Sequence, residues 1–173
     1  LHLFINAGDH ANIFETLKTE LAKQGINYHV VSDWNTLLDF CKTHSFDAKV
    51  ESKIAPVTIF SYANYFEAFT TTDYLIRVSD ILVTKPSELA FYPVPKLFIR
   101  RVGDHEAASA FRSMELGEGT TECREPEHAF EMVKLLTEQN QILQRMNECV
   151  IRNARDGIYD GAKNAVEMAM KLL

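Results

Sequence analysis

Cysteine is scarce. Cys41, Cys123 and Cys149 are the only three in 173 residues, widely spaced and odd in number. That count excludes a disulfide framework and suits reduced thiols in a cytosol. No CxxC pair and no Cys/His ligand spacing occurs, so a structural zinc site is not expected. An excess of basic residues is missing too. The formal net charge is −6 and the pI is near 5.5. A general nucleic-acid surface is thereby excluded, because phosphate binding needs a basic face; Arg100–Arg101 is a local exception. No apolar run approaches the roughly 20 residues of a membrane span. The opening LHLFINAGDH has neither the basic region nor the apolar length of a signal peptide. A cytoplasmic location follows as an expectation, and association with a membrane face stays open, no basic amphipathic patch being strong enough to assert it. The chain opens without methionine, directly on a strand-like run, and so reads as a piece of a longer protein.

Catalytic signatures are also missing. The dinucleotide fingerprint GxGxxG, the phosphate loop GxxxxGK[ST], the zinc motif HExxH and the nucleophile elbow GxSxG do not occur. No metal and no cofactor is expected. The histidines at 2, 10, 29, 44 and 128 lack ligand spacing, and His105 cannot face both of its acidic neighbours at once.

Hydrophobic residues make up 46% of the chain and charged residues 24%, ordinary values for one well-buried globular domain over residues 1–173. Leu1–Ile5 reads as a strand closed by the turn Asn6-Ala7-Gly8. A helix follows to about Gln24, with Ile13, Leu17 and Leu21 on its apolar face and Gly25 as its stop. Tyr28–Val31 is a second strand, and Ser32 or Asp33 caps a helix carrying Trp34, Leu37, Leu38 and Cys41. A short strand near Val50 and a stronger one at Val57–Phe60 come next. Two short helical pieces broken at Thr70–Thr72 are expected after them. Ile81–Thr84 and Lys96–Ile99 are buried strands with a very short helix between. Asp104 can cap a helix running to about Leu116, stopped by Gly117. Thr120–Cys123 is a candidate last strand. Pro126 opens a helix to about Thr137, and the rest is helical with a turn at Asp156–Gly157. The stripes Ile142, Met146, Val150 and Val166, Ala169, Leu173 should face the core.

Strands alternate with helices, and the strands are continuous apolar runs. That combination predicts an α/β fold: a Rossmann-like parallel sheet of about six strands, covered by helices on both faces. Ligands of such sheets collect at the carboxyl ends of the strands. The loops at Asn6–Asp9, Ser61–Tyr65, Thr84–Glu88 and Arg100–Glu106 should therefore lie along a rim.

Each loop has a functional and a bland reading. The turn at Asn6 and Gly8 offers helix-start N–H groups to a phosphate, or is a plain strand–helix turn with Asp9 repelling anions. In TKPSE, Lys85 supplies a cation and Glu88 a carboxylate able to take two ribose hydroxyls; alternatively the two form a surface ion pair worth under ~1 kcal/mol. Arg100 and Arg101 can clamp a diphosphate in a forked geometry. Asp104, His105 and Glu106 can meet sugar hydroxyls, or the two acids simply cap a helix and complement its dipole.

The segment SDILVTKPSELAFYPVPKLFIRR, followed by DHEAASA, resembles the C-terminal, nucleotide-sugar-binding half of GT-B glycosyltransferases. It is most similar to the glycosyltransferase family 28 branch, which holds the MurG-type N-acetylglucosaminyltransferases and the monogalactosyldiacylglycerol synthases. The resemblance implies half of a GT-B architecture that binds a UDP-sugar-like donor without a metal. Glu88 then matches the glutamate that holds the donor ribose, with Lys85 and Ser87 in the same loop. Asp104, His105 and Glu106 fall against the donor sugar, and Asn6 and Gly8 near the diphosphate. Ser61 and Tyr62 fall where backbone meets the uracil ring. Arg100 or Arg101 would stabilise the departing diphosphate. The sequence departs from the pattern in its first loop, which has fewer glycines, and at Ser87, where the family has glycine. The partners implied are a nucleotide sugar and the N-terminal GT-B half, which supplies the acceptor site; the isolated chain is then a hexosyltransferase fragment expected to be inactive. Two alternatives stay open: a non-catalytic GT-B-like sensor or interaction domain, and a nucleotide-sugar hydrolase or epimerase.

Overall fold

A computed structural model describes residues 1–43, 55–86 and 92–172. The chain is α/β with parallel strand pairing throughout the named strands, and it divides into two compact units, Leu1–Val78 and Ser79–Leu173.

Unit 1 contains β1 (Leu3–Gly8), α1 (Ala11–Lys23), β2 (Tyr28–Val31), α2 (Trp34–Thr43), β3 (Val57–Ser61) and α3 (Tyr65–Ile76). Among the described residues its three strands are ordered β1-β3-β2, so β3 lies between the other two and pairs in parallel with both. Central parallel strands are covered on both faces and read as unbroken apolar runs. Val57, Thr58, Ile59 and Phe60 are accordingly all buried. Successive side chains alternate between the faces. Val57 and Ile59 join Ala7 and the partly buried Phe14, Leu17 and Leu21 of α1. Phe60 joins Val31, Leu37, Phe40, Ala68 and Leu75 on the side of α2 and α3. There Phe4, Phe40 and Phe60 meet edge to face at centroid separations of 5.2–6.2 Å, the arrangement the ring quadrupoles favour. Burying each such side chain contributes about 1.5–3 kcal/mol.

Unit 2 contains β4 (Leu82–Thr84), β5 (Lys96–Phe98), a 3₁₀ turn (Asp104–Glu106), α4 (Ala107–Glu115), α5 (Pro126–Glu138), α6 (Asn140–Arg155) and α7 (Gly161–Met170). β4 and β5 pair in parallel. Along the other edge of β5 runs a segment that makes only isolated bridges, Lys96 to Gly119 and Ile99 to Cys123. The Phe98 N–H there is taken by the Thr120 hydroxyl at 3.1 Å rather than by a carbonyl. Leu97 packs with Cys123, Leu136 and Met146 against α5 and α6, whereas Phe98 packs on Ala110 of α4.

Lys96 lies on the same face as Phe98, and it is fully buried. Its ammonium donates to Glu118 Oε1 at 2.8 Å and to the Val94 carbonyl at 3.0 Å. Glu118, also fully buried, accepts in addition from Asn153 Nδ2 at 3.3 Å and from the Tyr159 hydroxyl. The Lys96 ammonium is lowered below its ordinary range by burial, and its bond to Glu118 opposes that shift. Burial and the Glu118 carboxylate push the Tyr159 phenol up, so it stays a donor.

Several expectations are corrected. Ile13 is exposed and Phe14 takes its place on the packed face of α1, beside Leu17 and Leu21. The Thr70–Thr72 run does not break α3. The hydroxyls of Thr70 and Thr71 each donate to a carbonyl one turn back, at 2.8 Å, and Thr71 is buried. Thr120–Cys123 forms no full strand; within it only Cys123 makes a bridge, to Ile99. The Val166–Ala169 stripe does not face a core, because every residue of α7 is exposed; Leu173, the last of that stripe, lies outside the described residues. The other stripe is packed as expected, with Met146 and Val150 buried and Ile142 partly so. The helix stops at Gly117 and Gly157 are also as read, both glycines having positive φ. The strand expected near Val50 and the short helix between β4 and β5 lie outside the described residues. The parallel strands described are fewer than the six expected, three in one sheet and two in the other.

Removing one member of a buried ion pair leaves its partner charged and desolvated. Lys96→Met is therefore expected to destabilise unit 2 by about 3–5 kcal/mol, and Lys96→Met combined with Glu118→Gln to recover part of the loss. Urea unfolding of the three proteins at neutral pH checks this. Equal midpoints for the wild type and Lys96→Met would show that the pair is not what holds β5.

Candidate functional site

The strand-end loops of unit 2 follow β4 and β5. In the first, Lys85 and the fully buried Pro86 come directly after Thr84. Ser87 and Glu88, and with them the ribose contact expected from the resemblance, lie outside the described residues. In the second loop, Arg100 is exposed and Arg101 half-buried. The 3₁₀ turn then carries Asp104, His105 and Glu106.

Glu106 joins the two loops. It is 4% exposed, and one carboxylate oxygen takes the Lys85 ammonium at 2.8 Å. The other accepts the backbone N–H groups of Val102 at 2.7 Å and Gly103 at 3.2 Å. A carboxylate with these donors is held well down, to about 2 from an ordinary 4.5, with the Lys85 hydrogen bond as the largest cause and the Val102 N–H next. Glu106 thus caps its own turn from within and fixes the backbone at residues 102 and 103.

Arg101 is held in a second cluster. Its Nη1 donates to Glu122 Oε2 at 2.7 Å and its backbone N–H to Glu122 Oε1 at 3.0 Å. Its Nε and Nη2 reach Asp104 Oδ1 at 3.2 and 3.0 Å. Arg124 also approaches Glu122, at 3.3 Å. The Glu122 carboxyl is lowered, first by the Arg101 backbone N–H. Asp104 therefore serves Arg101 and does not cap the helix, contrary to expectation; the capping carboxylate is Glu106. Asp104 remains 98% exposed as a side chain, and His105 is exposed beside it. Arg100 makes no ion pair among the described residues. The surface thus presents one exposed guanidinium, one exposed carboxylate and one imidazole around a fixed loop. Such a set can hydrogen-bond an anion and neighbouring hydroxyls.

In unit 1 the sequence-chosen residues also come together at strand ends. Asn6 Oδ1 accepts the Gly8 N–H at 3.0 Å, and its amide donates to the Ala68 carbonyl at 2.9 Å and Thr72 Oγ1 at 3.0 Å. Ser61 pairs with Gly8, and the Tyr62 N–H donates to the Gly8 carbonyl at 2.9 Å. Gly8, at φ +64°, supplies the left-handed turn. The Tyr62 side chain is buried and its phenol is pushed up by burial. These residues are thus engaged with one another and with Ala68 and Thr72 of α3.

Residues that sequence reasoning passed over are Glu122, Lys96, Glu118, Asn153 and Tyr159. Lys96 stood inside an apolar strand, where a buried Lys requires a carboxylate partner; that requirement was the available signal. Among the described residues, no group of three or more His, Cys, Asp or Glu could hold a metal ion, and no helix is long and apolar enough to cross a membrane.

Parallel strands joined by helices make the chain an α/β protein. The chain matches, over residues 1–170, the family described as Domain of unknown function (DUF6938), and it belongs to that family. No curated protein and no solved structure matches it.

A lowered carboxyl contributes stability above its unfolded value, and that contribution is lost as pH falls through the folded one. For Glu106 the window runs from about pH 4.5 down to about pH 2. Glu106→Gln is expected to lower the urea midpoint at pH 6 and to flatten its fall across that window relative to wild type. Parallel acid profiles for the two proteins would refute the assignment.

Proposed function

We propose that the strand-end surface of unit 2 is the nucleotide-sugar donor site of a glycosyltransferase. In this reading the chain is the Rossmann-like, about six-stranded half of a GT-B architecture, and it binds without turnover on its own. The observation that carries the reading is the Lys85–Glu106 bond, which ties the loops after two parallel strands into one surface. Arg100, Asp104 and His105 stand exposed on that surface. Arg100 would meet the diphosphate of a UDP-sugar-like donor, Asp104 and His105 the sugar hydroxyls, and Glu88 the ribose. Ligands of parallel α/β sheets gather at strand carboxyl ends, and a guanidinium fork suits phosphate oxygens.

A second reading, a non-catalytic sensor or interaction domain, is favoured by a different observation. Lys85 and Arg101, two of the three cations nearest the proposed diphosphate, are already neutralised by Glu106, Glu122 and Asp104. A ligand phosphate competes with those carboxylates.

Calorimetric titration with UDP and UDP-sugars, then GDP, TDP and ADP, separates the two. The donor reading expects micromolar to millimolar binding. Arg100→Ala should weaken it about tenfold or more, the loss of one charge-assisted hydrogen bond to phosphate, and Glu88→Ala should weaken it too. Arg100 is exposed, so its replacement leaves the packing alone. No heat with any of the diphosphates would sink the donor site and leave the interaction reading.

A further inference from the structure

Two carboxylates hold the Arg101 guanidinium, on very different terms. The Glu122 side chain is 10% exposed. One of its oxygens takes Arg101 Nη1 at 2.7 Å and the other takes the Arg101 backbone N–H at 3.0 Å. That grip has two points and is shielded from water, so it fixes where the guanidinium lies. Asp104 is the opposite case. Its side chain is 98% exposed, and a single oxygen, Oδ1, takes both Nε at 3.2 Å and Nη2 at 3.0 Å.

The geometry of that second contact leaves it replaceable. A guanidinium edge pairs best with two oxygens, one to each N–H, at about 2.7–2.9 Å. Asp104 offers one oxygen to both groups, at longer distances. An exposed pair of this kind, at positions i and i+3, is weak, because water screens it and side-chain freedom opposes it. Nor does the loop need it, since the main-chain N–H groups of Val102 and Gly103 are held by Glu106. Arg101 is therefore fixed on its inner side by Glu122, while its outer edge has a partner that can leave.

We propose that Asp104 is an exchangeable counter-ion, which covers the Nε–Nη2 edge of Arg101 and yields it to an oxyanion of the ligand. The contact is autoinhibitory, because any anion that reaches this edge must first displace the carboxylate. A displaced Asp104 is then free to accept from the ligand's hydroxyls. The inference rests on the reading of this surface as the seat of a phosphorylated ligand and adds an internal competitor to it. It also reverses a sign. Replacing a residue that only contacts the ligand weakens binding, whereas replacing a competitor strengthens it.

Calorimetric titration of the intact chain with inorganic pyrophosphate tests the exchange, since that anion carries neither base nor sugar. Asp104→Asn keeps the size of the side chain and removes its charge. It should tighten pyrophosphate binding about two- to fivefold, the release of one exposed ion pair. The gain should disappear when Arg101→Lys is added, because lysine lacks the forked edge; a double-mutant cycle reads that difference. Binding that is unchanged or weaker in Asp104→Asn overturns the proposal, and so does no pyrophosphate binding to either protein. A gain that persists in full beside Arg101→Lys overturns it too, as a general change in surface charge. Titration with UDP-sugars separates the exchange from the donor site. A pyrophosphate gain with no UDP-sugar bound upholds the exchange and removes the donor site, and UDP-sugar binding with no pyrophosphate gain does the reverse.

Discussion

Unit 2 is organised around one buried charge pair. Lys96 opens β5 and faces inward, so its ammonium has no route to water. Glu118 answers it from the loop after α4, while Asn153 on α6 and Tyr159 beyond α6 complete the carboxylate's acceptor sites. Four separate segments are thereby fixed by a single cluster. A nonpolar residue at position 96 would pack as well and would specify less, because apolar contact has no preferred direction whereas an ion pair with shared hydrogen bonds has one arrangement. The buried charges act less as a net source of stability than as a constraint on register. They tell β5 how far along its neighbours to sit and bring the end of α6 to Leu116, whose carbonyl takes the Asn153 amide at 3.0 Å.

At the opposite end of β5 the same chemistry is used at the surface. Glu106 and Glu122 both accept main-chain N–H groups as well as side-chain cations. A loop that leaves a parallel strand without continuing the ladder strands its N–H groups, and a carboxylate satisfies two at once. Cations then follow the carboxylates. A ligand arriving here meets a loop already rigid, which lowers its ordering cost, and cations already partly neutralised, which lowers its electrostatic gain. These effects oppose each other, and Arg100 escapes the second because it is outside both clusters.

Much of this was legible in the sequence, for identifiable reasons. The strand at Val57–Phe60 is an apolar run bounded by turn residues, as a central parallel strand covered on both faces must be. The edge strand at Tyr28–Val31 was marked by its β-branched and aromatic residues. Gly117 and Gly157 end helices because only glycine takes positive φ without strain. The misreadings are equally physical. Threonines lower helix propensity through their branched side chains, yet Thr71 is buried with its hydroxyl satisfied inside the helix, and the packing of α3 outweighs the propensity of single positions. The apolar stripe of α7 satisfied the helical period but not the further condition that something must lie against it. At the site, residue choice was readable and partnership was not. Arg101, Asp104 and Glu106 were singled out, but Glu122 and the division of acids between two cations depend on a contact 21 residues away in sequence.

Of the two strands expected to be buried only β5 is, since Val83 of β4 is exposed, and the concentration of charge after them has a first cause that involves no ligand. Each carboxylate that is bound by main-chain N–H groups is an element of the fold, and substitutions there report on loop geometry before they report on recognition. Recognition has to be sought in side chains the fold does not consume. In unit 2 these are Arg100 and His105, together with the outward oxygen of Asp104. In unit 1, Asn6, Gly8, Ser61 and Tyr62 are engaged with their own surroundings. Charged loops are thus a poor guide to a binding site when read by composition. The residue that remains exposed after every backbone donor and every buried charge has been satisfied is the better one, because the fold gives no other reason for its being there.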